Sequence, residues 1–109
     1  MTDWQDIESR VAGARIVADP ESFVAFDAPG ETMVPVFHRP TQRTVVLDRA
    51  GHDVLAALGE LSGADLALLQ DRFPGLHRRR LLEILITLRE HELASLQDRD
   101  HAGPDPGQP

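Results

Sequence analysis

The chain has 109 residues, enough for one hydrophobic core and too few for two. Its 18 acidic and 11 basic residues give a net charge of −7, which disfavours nucleic acid as a partner unless the cations cluster, and the lack of cysteine excludes disulfides, thiolate metal sites and cysteine nucleophiles. No apolar run approaches the roughly 18 to 20 residues that cross a bilayer, and the opening MTDWQDIESR is acidic where a signal peptide is basic, so the sequence reads as cytoplasmic with no membrane partner.

Thr2 is placed to cap a short N-terminal helix, with Gln5 as its capping-box partner, Trp4, Ile7 and Val11 as its apolar stripe and Gly13 as its stop. From Ala14 to Asp48 the pattern changes to short β-type runs, ARIVADP, SFVAFDAPG, MVPVFHRPTQ and RTVVLD, which three antiparallel strands fit best. Ala28-Pro29-Gly30-Glu31 and Arg39-Pro40-Thr41-Gln42 are turn sequences suited to hairpins. Pro35 has no N–H to give a ladder, which places it at a strand start or a bulge.

Helical spacing follows. Ala50, Val54, Leu55 and Leu58 share one face of a helix that begins at Asp48 or Arg49 and stops near Gly59. Ser62 is placed to cap a second helix, with Asp65 at the reciprocal position, Leu66, Leu69 and Phe73 as its stripe, and Pro74-Gly75 as its break. A third helix spans about His77 to about Glu92 and carries more apolar residues than one core face requires. Leu81, Ile84, Leu85 and Leu88 form the core side; Leu82 and Ile86, flanked by Arg79 and Arg89, form a second stripe. That stripe is either the wall of an apolar groove rimmed by arginine or a surface buried beneath the N-terminal helix through Trp4 or Ile7. The organisation expected is a helix over 1–13, one domain over 14–97, and a Pro- and Gly-rich tail over 98–109 too polar to order itself.

The five histidines, His38, His52, His77, His91 and His101, lack metal-ligand spacing, and the serines lie in no nucleophile elbow. No glycine-rich phosphate loop follows a strand, and no carboxylate pair announces a cleft. A non-catalytic protein without cofactor or metal is expected. The cluster His77-Arg78-Arg79-Arg80 opposes the dipole at a helix N-terminus. It serves either to attract an acidic ligand or as a solvated turn balanced by Asp71, Glu83 or Glu90.

The stretch VFHRPTQRTVVLDRAGHDVLAAL (36–58), with Val45, Val46, Leu47 and Asp48 leading into Ala50 and Leu55, resembles the hairpin and first helix of the PqqD-like family of precursor-peptide recognition elements. DLALLQDRFPG (65–75) is similar to that family's second helix, and LLEILITLREHELASL (81–96), with Leu85 and Leu88, to its closing helix. The resemblance implies an α+β, winged-helix-like fold: a three-stranded antiparallel sheet followed by a three-helix bundle, here with an extra short N-terminal helix. It also implies that a leader peptide adds as a strand beside Thr44, Val45, Val46, Leu47 and Asp48, against a groove wall of Arg79, Leu82, Ile86 and Arg89, with Arg78 available to acidic leader residues. The partners would be the precursor peptide and a separate modifying enzyme such as a radical-SAM maturase, a peptidase or a cyclodehydratase. The same elements also build a winged-helix DNA-binding regulator, with the third helix in a major groove. They also suit a structural subunit whose second stripe is a protein interface.

Overall fold

The computed structural model describes residues 4–98. Helix α1 (Trp4–Ala12) ends where Gly13 donates its N–H to the Ser9 carbonyl. Val11 is buried, and Trp4 and Ile7 pack against the core from the same helix. The expected cap at Thr2 lies outside the described residues.

All four β-type runs become strands, but they do not share one sheet. The first, β1 (Ala14–Val17), pairs antiparallel with β5 (Ser95–Asp98), a strand that the sequence does not announce. On its other side Ile16 exchanges two backbone hydrogen bonds with Ala64, of 2.7 and 2.9 Å. A 3-10 turn (Pro20–Ser22) leads into β2 (Phe23–Ala25), which is followed by β3 (Met33–His38) and β4 (Arg43–Asp48). These three form an antiparallel sheet in the order β2-β3-β4. Both turn sequences are where they were expected: Glu31 donates to the Ala28 carbonyl with Gly30 at φ 84°, and Gln42 donates to Arg39. A glycine after proline suits that positive φ in a type II turn.

Pro35 is neither at a strand start nor at a bulge; it sits in register inside the central strand, opposite Val46. The Phe26 N–H donates to its carbonyl, so the side of Pro35 that lacks an N–H faces Phe26, where β2 has already ended. Hydrogen-bonded and open pairs alternate along an antiparallel ladder, so Pro35 and Val46 form an open pair and the β3–β4 ladder loses nothing.

Helix α2 (Arg49–Leu61) is capped by Asp48, whose carboxylate accepts the Gly51 N–H at 2.8 Å. It runs past Gly59, which is no stop: a Cβ there would meet Pro20 at 3.2 Å, so glycine allows the 3-10 turn to approach the helix. Ser62 closes α2 in the left-handed region at φ 57°, and Gly63 donates to Leu58. The cap of α3 (Leu66–Arg72) is therefore Asp65, accepting from Leu68 at 2.8 Å, rather than Ser62. Asp65, three residues on, does the capping because the serine is still inside the preceding helix's C-terminal turn.

Helix α4 (Arg78–Glu90) stops two residues before the expected end. Glu92 takes φ 62° and Leu93 donates back to Leu88, which turns the chain into β5. Ser95 and Leu96, which the resemblance assigns to the closing helix, and Asp98, expected to open the tail, lie in a strand with Gln97 instead. The rest of the expected tail lies outside the described residues.

The molecule is an α+β protein with a three-stranded antiparallel sheet and, among the described residues, four α-helices. Val34, Val36 and Leu47 line the inner face of the sheet and meet Val54, Leu55 and Leu58 of α2, Leu69 of α3 and Leu81, Leu85 and Leu88 of α4. Each is at most 5% exposed, and burying such a side chain is worth about 1.5–3 kcal/mol. No helix among the described residues is long and apolar enough to cross a membrane.

Candidate peptide-binding edge

β4 lies at the edge of its sheet. Because Pro35 and Val46 are an open pair, the alternation puts the N–H and C=O of Thr44 and Val46 on the outer side, facing away from β3. Val45 and Leu47 turn inward to the core, whereas Thr44 and Val46 are exposed. Asp48 ends the strand and is half-buried.

Beside this edge runs a groove of about 240 Å³, lined by Met33, Val46, Leu47 and Gly51 on one side and by Arg80, Ile84 and Thr87 of α4 on the other. Asp48 closes one end: one carboxylate oxygen caps α2 at Gly51 while the other accepts from the Arg80 guanidinium. Arg80 also approaches Glu83 at 3.8 Å. The groove thus pairs an open backbone edge with a largely apolar wall, the combination that strand addition uses: main-chain bonds for affinity and alternate side chains for selection.

The wall is not the one expected. At roughly 100° per residue, Arg79, Leu82, Ile86 and Arg89 lie about 150° around α4 from Arg80, Ile84 and Thr87 by way of Glu83 and Glu90, and the core face of Leu81, Leu85 and Leu88 separates the two groups on the longer way round. The two flanks therefore meet different neighbours. Arg79 stacks on the Trp4 ring, 4.1 Å from its centroid, and Arg78 bonds Glu8 of α1 and Gln70 of α3. Leu82 is 2% exposed in the core against which Trp4 and Ile7 pack, so burial beneath the N-terminal helix is its position. Ile86 is half-buried and Arg89 exposed on that same flank. The structure brings Val46, Leu47 and Asp48 to the groove, leaves Thr44 exposed on the same edge, turns Val45 to the core, and places Arg78, Arg79, Leu82, Ile86 and Arg89 away from the groove.

Periodicity groups residues that share a face but does not say which neighbour that face meets. Arg80, Ile84 and Thr87 were missed because Ile84 belongs to the core stripe and the other two are polar.

Among the described residues no group of three His, Asp or Glu side chains is arranged to hold a metal. His38 is buried at the inner face of β3, its Nδ1 2.8 Å from the Thr41 hydroxyl oxygen.

No family model, curated protein or solved structure matches this chain.

Proposed function

We propose that the chain is a non-catalytic, winged-helix-like recognition domain that takes up an extended peptide as a fourth strand beside β4. The guest in this reading is the leader segment of a ribosomally made precursor, held so that a separate modifying enzyme acts on the rest. A radical-SAM maturase, a peptidase or a cyclodehydratase fits that place. The observation that carries the reading is the open six-residue edge of β4 beside the groove of Arg80, Ile84 and Thr87. A guest strand would bond Thr44 and Val46 and point alternate side chains over Ile84 and Thr87.

The arginines of α4 speak against a nucleic-acid surface. Arg78 is bonded to Glu8, Arg79 lies on Trp4, and Arg80 is bonded to Asp48, so three of the cations that phosphates would need are already engaged.

Val46→Pro tests the proposal, since it removes an N–H that points outward and leaves the β3–β4 ladder intact. Titration with a labelled leader peptide encoded beside this gene should saturate with the native chain and weaken by about tenfold or more with the proline variant. Equal binding by both chains, or binding only to duplex DNA in a salt-sensitive manner, would overturn it.

A further inference from the structure

Residues opposite one another in an antiparallel ladder share a face. Val34, Val36 and Leu47 point to the core, so Val24, Phe26, Met33, Pro35, Phe37 and Val46 lie on the outer face of the sheet, with Thr44 and Asp48 as its polar members. Three of the four strongly exposed large hydrophobic residues lie there: Phe26 at 58%, Met33 at 48% and Val46 at 55%. A grouped apolar face of this kind marks a contact surface more often than singly scattered residues do.

The charges around that face say what covers it. At one end the β3–β4 turn carries Arg39, which is in no ion pair among the described residues. At the other end stands Glu31, whose carboxylate is also in no ion pair there, although its carbonyl accepts from Arg49. Arg39 follows Pro35 by four positions and Glu31 precedes it by four. β3 spans Met33–His38, so Glu31 stands beyond its start and Arg39 just beyond its end, at opposite ends of the face.

We propose that this outer face is a self-association surface on which a second copy of the chain packs sheet to sheet. The two-fold axis crosses the strands over Pro35, so Arg39 of each copy lies over Glu31 of the other. An isologous contact must be complementary to itself, and a face with opposite charges at its two ends meets that condition. Stacked sheets sit about 10 Å apart with strands within about 30° of alignment, which keeps those ends together. This packing uses the face of the sheet and leaves the outward N–H and C=O groups of the β4 edge free, while Met33 and Val46 border both the dimer face and the groove.

Sedimentation analysis of the full chain between about 10 and 300 µM, at low and high salt, tests it. A monomer–dimer equilibrium weakened by salt is expected. The Phe26→Ser, Met33→Gln pair should raise the dimer dissociation constant by about tenfold or more with the far-UV circular dichroism unchanged. Arg39→Glu should weaken the dimer at low salt, and Arg39→Glu combined with Glu31→Arg should restore it. A chain that stays monomeric throughout, or a dimer indifferent to the Phe26 and Met33 changes, overturns the proposal. So does a dimer dispersed by Thr44→Pro alone, because that would be pairing through the β4 edge, and so does a charge swap that fails to restore association. Leader peptide should bind a Phe26→Ser single variant, which lies outside the groove, as it binds the native chain, and this keeps failure of either proposal distinct from failure of the other.

Discussion

Asp48 and Arg80 join the end of the edge strand to the last helix: the carboxylate that caps α2 at Gly51 also accepts from the Arg80 guanidinium. One side chain thereby fixes three elements around the groove. Losing the cap costs about 1 kcal/mol, whereas the ion pair, with both side chains about 40% exposed, is worth a few tenths to about 1 kcal/mol. Asp48→Ala should therefore destabilise the protein more than Arg80→Ala or Asp48→Asn, the latter keeping an acceptor for Gly51. Chemical denaturation of the three variants checks the order, and equal losses for Asp48→Ala and Asp48→Asn would show that the cap contributes nothing.

The two flanks of α4 should respond differently. Leu82→Ala opens a hole in the core and should cost about 2–5 kcal/mol in unfolding free energy. Arg89→Ala, exposed on the same flank, should stay within about 0.5 kcal/mol and leave peptide affinity unchanged. Thr87→Trp fills the groove from the α4 side and should lower peptide affinity by about tenfold with little change in stability. Sensitivity to Arg89 and indifference to Thr87 would mean that a guest uses the flank under α1 instead.

Glu92 occupies φ 62° without the freedom of a glycine. Side chains with a Cβ pay about 1 kcal/mol there, and the extra freedom that glycine brings to the unfolded chain returns part of it. Glu92→Gly should raise the denaturation midpoint, by up to about 1 kcal/mol in stability; a lower midpoint would show that the Glu92 side chain contributes a contact of its own.

The pairing of β1 with β5 can be probed by position. Ile16 spends its backbone groups on Ala64, so Leu96 opposite it is in an open pair while Gln97, opposite Arg15, is in a bonded one. Gln97→Pro should remove a ladder bond and destabilise the protein, and Leu96→Val should cost less. Thermal unfolding of the two variants settles the order.

Much of the architecture was legible because it rests on local chemistry. The Pro-Gly turn at Ala28 to Glu31, the cap at Asp48 and the apolar stripes of α2 and α4 follow from sequence alone. What escaped depends on distant partners. Ser95–Asp98 holds one large apolar residue, and only the backbone of β1 makes it a strand. Gly59 reads as a stop because the approach of Pro20 is invisible in the local pattern. Leu82 reads equally as groove wall or core because nothing in α4 says that Trp4 and Ile7 lie over that flank.

Pro35 gives the sheet a direction. Polymerising by edge-to-edge growth requires two receptive borders on each molecule, and the absent donor opposite Phe26 cuts the β2 border to three residues. One long border remains, so a neighbour recruited there caps the assembly instead of propagating it, and a single proline spares the chain the fibre that an exposed strand invites.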